Sequence, residues 1–480
     1  MAVSPSRVPD PSVVDPWIYD MQVKASLPMT LMGGSKAMQA SGETYLPKNP
    51  HEFDPDYDYR LKTARLRNYF KRTVQNTVGK LFAKPFQIEG GLPVIEPICW
   101  DVDKEGTDVQ AFAKDLMANA LGSCGLGLFL VDREAVVAAT AADDQRRNTA
   151  PYWVPIPLMD LIALRSIVIN GRREITQLRY YRTVEKVINE FETDYVRQIR
   201  IVTPDGWRVM EHTRVPRTTR MVWTQVAEGV NTLGKVTLVP LYLQRTGFFQ
   251  AENPLDDLAD MNLEHFQIRS EQRRSLQVNS FPILVVTNFD GDLKDIVLGP
   301  NSIFGIKGEK CDVKFVESNG RHLEAARLEL NDLVDQMRAF GAQFDKPGEV
   351  GTVESASGRM IDAQEATTVL QLWALSLKDS IELGLAYTVD WLGGDSSKLE
   401  QTGQVNISLD FTRVLSEAGL KLIVEARRLG DLSRRQFLEI YRQNSLVGED
   451  FDFDKNEAER DDEGLDDIPP TGTGAPAPAA

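Results

Sequence analysis

Apolar positions recur at spacings of three to four residues along several stretches of the chain and cluster in short, turn-bounded runs between them. From Arg60 to Phe86, Leu66, Phe70, Val74, Val78 and Leu81 form one stripe, which predicts a helix stopped by Pro85. Its remaining positions include Arg60, Lys62, Arg65, Arg67, Lys71, Arg72, Lys80 and Lys84, with no acid between Tyr59 and Gln87. That face reads as a solvated or subunit-facing basic surface. Residues 108–121 form a second helical stripe through Val109, Phe112, Ala113, Leu116, Met117 and Ala120. A glycine cluster, Gly122, Gly125 and Gly127, then leads into an apolar strand at Leu128–Val131. Phosphate-cradling loops run strand, glycines, helix, so that helix N-terminal amides face the anion. Here the order is reversed, and the glycines read as a helix-ending turn.

Between Tyr152 and Leu243 the period changes to that of strands: Ile162–Ile169 before Asn170-Gly171, Leu178–Val184, Tyr195–Val202 before Pro204-Asp205-Gly206, Trp207–Glu211, and Val236–Leu243. This predicts an antiparallel β region. Asn253-Pro254-Leu255-Asp256-Asp257 supplies a capping Asn, a proline for the first turn and acids for the positive end of the dipole. The helix it opens runs to about Val278, roughly 39 Å at 1.5 Å per residue. Arg269, Arg273 and Arg274 follow its apolar half without matching acids, so one face is expected to meet a neighbour or a channel. A compact β segment follows, with strands at Phe281–Thr287, Asp295–Leu298, Ser302–Ile306 and Asp312–Val316. Strands this short do not bury a core alone. A helix from Leu323 to Phe340 comes next, then the turn-rich 345–358, then a helix from Arg359 to Leu392 of roughly 50 Å, stopped by Gly393-Gly394. A strand at Val405–Phe411 precedes helices 414–429 and 434–446. Gly430 ends the first, and Ser433 with Gln436 forms a capping box on the second. Arg427, Arg428, Arg434, Arg435 and Arg442 give these two the outline of a helix-turn-helix, but a plain αα-hairpin is the better reading, because an acidic segment follows.

Composition narrows the functional classes. The 480 residues are 42% hydrophobic and 26% charged, enough for sizeable cores, and the formal net charge is −16. Residues 449–467 hold 11 acidic and 2 basic side chains, and the chain ends in a Pro/Gly/Ala-rich stretch, so 448–480 reads as a disordered tail. Residues 1–58, rich in Pro, Gly, Asp and Ser, read as an arm that packs on something, such as a neighbouring subunit. An acidic balance opposes gripping nucleic acid over a broad basic surface and permits letting it pass. Cys99, Cys124 and Cys311 have no paired spacing, and His51, His212, His265 and His322 are dispersed, so neither a disulfide framework, a metal site nor a catalytic dyad is indicated. No metal, cofactor or enzymatic activity is expected, since no Lys-Ser/Thr pair sits in a GxxxxGK context. No apolar run approaches the ~20 residues of a membrane span, and no signal-peptide pattern opens the chain, which points to a protein made and used in a cytosol without a membrane partner.

The order of elements is itself informative: β-rich region, capped long helix, small β segment, second helix, loop, very long helix, αα-hairpin, tail. In this order, and in the stretches Gly33-Gly-Ser-Lys-Ala-Met, Gly42-Glu-Thr-Tyr-Leu-Pro, Asn253-Pro-Leu-Asp-Asp-Leu-Ala-Asp-Met-Asn-Leu-Glu-His-Phe and Phe281-Pro-Ile-Leu-Val-Val-Thr, the chain resembles the portal proteins of tailed bacteriophages over about residues 30–447. The resemblance implies an α+β fold of portal-like architecture, with β-rich wing, two-helix stem, small β clip, long wing helix and α-helical crown. Its parts would be an N-terminal arm at 1–58, wing at 59–250, stem helices at 251–279 and 319–344, clip at 280–318 and tunnel loop at 345–358. The long wing helix and a strand would occupy 359–413, the crown 414–447 and the tail 448–480.

It further implies a homo-oligomeric ring of about twelve copies at one capsid vertex, since a heterologous interface closes only through rotation. Double-stranded DNA would pass through it during packaging and ejection. Its partners would be terminase, the major capsid and scaffolding proteins, and later head-tail adaptors; it would sit in the virion, after assembly in the host cytoplasm. The resemblance places Lys346, Gly348, Thr352, Ser355, Ser357 and Arg359 at the DNA channel. It places Asp290, Asp292, Lys294, Asn301, Lys307 and Lys310 on the docking surface for terminase and adaptors. The alternative class is another structural virion component, such as a head-tail adaptor or a capsid-like protein.

Overall fold

The computed structural model describes residues 10–133, 150–214, 221–279, 283–287, 312–316, 321–345, 356–409, 417–429, 433–443, 453 and 455–456. It is a mixed α and β protein, divided into two compact units at residues 409 and 410.

The first unit opens with α1 (Pro16–Ala40), started by Pro16 and bent where Gly34 leaves helical geometry (φ 75°). Ile18, Met21, Ala25 and Leu31 are buried. Ile18, Met21 and Ala25 pack into a core with Leu158, Leu161, Leu164, Leu178 and Tyr180. Gln22 Nε2 donates to the carbonyls of Leu158 and Leu161, both at 2.9 Å. This corrects the expectation of an arm for that part of 1–58: the helix is a wall of the chain's own core. The expected single helix from Arg60 to Phe86 is also corrected. It is two, α2 (Asp54–Thr63) and α3 (Tyr69–Leu81), separated at Ala64–Asn68. Asn68 Oδ1 accepts from the Lys71 amide at 2.8 Å and so begins a new helix. The basic face is broken with it, since Arg60 is buried and Lys71 Nζ donates to the Met32 carbonyl at 3.1 Å.

After β1 (Gln87–Glu89) and α4 (Ile95–Cys99), α5 (Val109–Leu121) is capped by Asp108, whose Oδ1 accepts from the Ala111 amide at 2.7 Å. It ends in the expected turn: the Gly125 amide reaches back to the Ala120 carbonyl at 2.9 Å with Gly125 at φ 79°. There β2 (Leu126–Asp132) begins, buried at every residue and flanked by β3 (Tyr152–Pro155) and β9 (Leu238–Tyr242) in an antiparallel sheet of order β3-β2-β9. The second sheet is a five-stranded meander of β4 (Leu161–Ile169), β5 (Arg172–Asn189), β6 (Glu192–Val202), β7 (Gly206–Arg214) and β8 (Met221–Val230). The β4–β5 turn uses Asn170 and Gly171, both at positive φ, as the twist of a two-residue hairpin requires. Strand β8 lies within the stretch scanned by sequence and was not among its predicted strands. Residues β10 (Arg245–Gly247) and β11 (Gln250–Ala251) form a small ribbon before the long helices.

Helix α6 (Asp256–Asn279) leads to β12 (Ile283–Thr287), which pairs antiparallel with β13 (Asp312–Val316) from Ile283 opposite Val316 to Thr287 opposite Asp312. The chain returns along α7 (Arg321–Asp345). Helix α8 (Ala356–Trp391) begins three residues before the expected Arg359 and ends at Gly393, φ 79°. It lies on the first sheet: Ser376 and Ser380 hydroxyls donate to the carbonyls of Tyr242 (2.5 Å) and Pro240 (2.9 Å), and Trp391 Nε1 donates to the Val131 carbonyl at 3.1 Å. A short α9 (Leu399–Thr402) and β14 (Gln404–Asn406), which pairs with β1, close the unit. The expected strand to Phe411 is shorter, ending at Asn406.

The second unit contains α10 (Glu417–Leu429) and α11 (Arg434–Gln443), the expected αα-hairpin. The capping box is formed: the Gln436 amide donates to Ser433 Oγ at 3.2 Å, and Gln436 Oε1 accepts from the Ser433 amide at 3.1 Å.

Candidate functional site

The region with the most distinctive geometry is the antiparallel helix pair α6–α7 with the β12–β13 ribbon at its end. Its root is Asn253. The side chain does not cap in the simplest way: Oδ1 accepts from the Leu255 amide at 3.0 Å, while Nδ2 donates to the carbonyls of Leu121 (2.9 Å) and Ser123 (2.7 Å). One asparagine therefore closes the first turn of α6 and ties it to the C-terminal end of α5. Gly125 meets the same point, where a Cβ would stand 2.2 Å from the Glu252 carbonyl oxygen. The root of α6 is thus held against the turn between α5 and β2.

Further along, α6 is buttressed by the N-terminal helices. Asn262 is fully buried; its Oδ1 accepts from the Phe70 amide at 3.0 Å and its Nδ2 donates to the Arg67 carbonyl at 2.9 Å, which satisfies the start of α3. His265, also buried, meets the Tyr69 ring edge-on at 5.9 Å between centroids. Burial, then the positive charges of Arg269 and Arg67, push its pKa down to about 4, so the imidazole is neutral at pH 7. Glu52 is buried between Arg60, which it accepts from at 2.8 and 2.9 Å, and Arg274; Arg274 also reaches Asp56 at 3.2 Å. Burial raises the Glu52 carboxyl, but the bonds from Arg60 and from the Asn49 amide at 3.1 Å, with the charges of Arg60 and Arg274, outweigh it and hold Glu52 below the ordinary carboxylate range. The expectation that Arg274 lacks a matching acid is thereby corrected. Its partners come from a segment more than 200 residues earlier, beyond the reach of any local pattern. Arg269 and Arg273 have no ion-pair partner among the described residues.

Burial first, then Asp260, raises the Asp256 carboxyl to about 6. In α7, Leu330, Leu333, Val334 and Met337 form the buried stripe. Of the residues expected at the channel, Lys346, Gly348, Thr352 and Ser355 lie outside the described residues. Ser357 and Arg359 fall in the first turn of α8, with their side chains outside the described set. Asp290, Asp292, Lys294, Asn301, Lys307 and Lys310, between the two strands of the ribbon, are likewise outside it. What sequence reasoning missed is the buttress of Glu52, Arg60, Asn262 and Arg274; the buried polar side chains themselves gave no periodic signal.

Among the described residues no three His, Cys, Asp or Glu side chains converge as metal ligands. Burial pushes the thiols of Cys99 and Cys124 up to about 11. No helix among the described residues is long and apolar enough to cross a membrane.

A family model described as a domain of unknown function, DUF4055, matches residues 254–392, from just before α6 to just past α8. No curated protein matches the chain. Among solved structures, the chain is similar to one in the virion of a native gene transfer agent particle, at 14% identity over 84% of this chain and 96% of that one. It is similar to one in the neck of a native gene transfer agent particle computed with C12 symmetry, at 15% identity over 84% and 97%. A third, in the neck of an empty particle computed with C6 symmetry, matches at 14% over 85% and 98%. The TM-score is 0.35 in each case, too low to establish a common fold.

Proposed function

We propose that the chain is the subunit of a phage-type portal, a ring at one capsid vertex through which double-stranded DNA enters and leaves. The observation that carries this reading is the excursion α6, β12–β13, α7: two antiparallel helices of 24 and 25 residues, rooted in an α/β body and joined through a two-stranded ribbon, followed by the 36-residue α8. A helix pair of roughly 36 Å bearing strands too short for a core of their own is built to be covered by neighbours. In a ring the pair forms the stem and the ribbon the clip, which docks terminase during packaging and adaptor proteins afterwards. The role is mechanical, with no catalytic turnover. The net charge of −16 suits a channel past which DNA slides, because each phosphate contact would add a barrier to movement.

The test is the native mass of the purified chain with class-averaged electron micrographs. Twelve copies of 53.8 kDa, about 650 kDa, in a closed ring with a central hole is the expected result. A monomer or dimer that stays unassembled when scaffolding and capsid proteins are supplied would overturn it.

A further inference from the structure

Helix α6 carries opposite charges on opposite faces. Asp257, Asp260, Glu264 and Glu271 are all exposed, and at 100° per residue they fall within about 60° of one another. None of the four has an ion-pair partner among the described residues. Arg269 and Arg273 lie roughly 170° away around the same helix. They are one turn apart, an arrangement that is self-repelling. Arg67 joins them from the α2–α3 connection, set against α6 by the bond from Asn262 Nδ2 to its carbonyl. The only bond from Arg273 among those resolved is a long one to the Thr63 carbonyl, 3.4 Å. Burial and the charges of Arg67 and Arg273 hold the Arg269 guanidinium below its ordinary range.

In an acidic chain, three gathered arginines with no ion-pair partner among the described residues are available to something outside the subunit. Resting on the ring reading above, we infer that the Asp257/Asp260/Glu264/Glu271 stripe of one copy docks on the Arg67/Arg269/Arg273 cluster of the next. A ring interface is heterologous, so it needs two different complementary faces on each subunit. Rotation about the ring axis keeps every copy at the same height, so matching levels meet. Arg67, level with Asn262, faces Asp260 and Glu264, while Arg269 and Arg273 face Glu271. Such pairs fix register and suppress wrong packing more than they add affinity.

The experiment uses three forms of the full chain: wild type, Arg269→Glu/Arg273→Glu, and Asp260→Lys/Glu264→Lys/Glu271→Lys. Ring fraction is read by native mass and micrographs at about 0.1 M salt, where surface charges still act over ~10 Å. Each reversed form alone is expected to lose rings about tenfold or more, and mixing the two restores them as alternating rings, because each reversed face then meets its complement. Arg269→Gln/Arg273→Gln, which removes charge without adding repulsion, is expected to fall between. Rings formed by the reversed chains as readily as by wild type overturn the inference and leave the ring reading standing. So does loss of DNA binding with rings intact, which would assign the arginines to phosphate. Failure of mixing to rescue chains that melt like wild type also overturns it. Absence of rings from the wild type, with its partners supplied, removes the ring reading itself and this inference with it.

Discussion

The two large sheets are both antiparallel, yet they are finished in opposite ways. In the first, β2 is closed on all sides: β3 and β9 take its edges, α5 and α8 lie on the face that carries Phe129, and Ile18, Met21 and Ala25 of α1 pack with Leu126, Leu128 and Leu130 on the other. Phe129 stacks on Trp153 at 4.8 Å, and Phe112 meets both rings edge-on at 5.3 Å. Helix α8 comes so near that a Cβ on Gly384 would stand 2.8 Å from Phe129 Cζ and 3.1 Å from Trp153 Cζ2. In the second, only the middle of the meander is buried, around Leu178, Tyr180, Ile199 and Val202. Pairing with β4 stops at Tyr180 and pairing with β7 stops at Gln198, so the β5–β6 hairpin runs on as two strands alone. Near its tip Val187 and Tyr195 are open to solvent, and Phe191 is 91% exposed. The first sheet is where this chain stores stability, and the second is where it has surface to spare.

The largest expected break of that contrast is Trp153→Ala. It removes the ring that stacks on Phe129 and donates to Thr388 Oγ1 at 3.0 Å, and should cost about 3–5 kcal/mol by denaturant unfolding. Next is the link between the sheets, where Asp132 at the end of β2 meets Arg200 of β6 at 2.6 Å with both side chains buried. Asp132→Ala strands the guanidinium and should cost about 3 kcal/mol, whereas Asp132→Leu with Arg200→Met should recover most of the loss. A surface pair in the open sheet, Arg197 with Asp160 at 3.1 Å, makes the control; Arg197→Ala should cost under about 1 kcal/mol.

Titration gives a third, smaller effect on the helix rooted beside the closed sheet. The Asp256 carboxyl is raised to about 6, so its contribution to stability is present below pH 3.8 and is lost as pH rises through about 6. Asp256→Asn should melt above wild type at pH 7 to 8 and match it near pH 4. His265 has the opposite sign: lowered to about 4, it contributes stability above pH 6.5 that is lost as pH falls through about 4. His265→Phe should flatten that acid limb, measured as melting temperature between pH 7 and 4. The smallest effect belongs to the hairpin tip. Phe191→Ser should change unfolding stability by less than about 0.5 kcal/mol, and a larger loss would mean the tip packs more than its exposure indicates.

How much of this was legible beforehand follows the same division. Helices α3 and α5 were marked by an apolar stripe, while the Asp108 cap of α5 came only with the structure. The Ser433/Gln436 box lay in the sequence and is found bonded in the structure. Helix α1 was not legible, because Pro28 and Gly33-Gly34 read as turn signals and its apolar residues are spread around the axis. The polar start of β5, Arg172–Gln177, was passed over because only the partner strand β4 makes it a strand. The expected channel and docking residues remain readings of the sequence, since their side chains lie outside the described ones.

By itself the sequence determined the helices with intact stripes, the Ser433/Gln436 capping box, the glycine stops and the acidic charge of residues 449–467. These depend on residues within about four positions of one another, and the chain carries that information locally. Only the tertiary structure decided that Arg60 and Arg274 share Glu52, that Asn262 takes the Phe70 amide at the start of α3, that α1 belongs to the core, and that α6 has acids on one face and arginines on the other without ion pairs among the described residues. Burial and ion pairing are set by which distant segments fold together, and no local spacing encodes them.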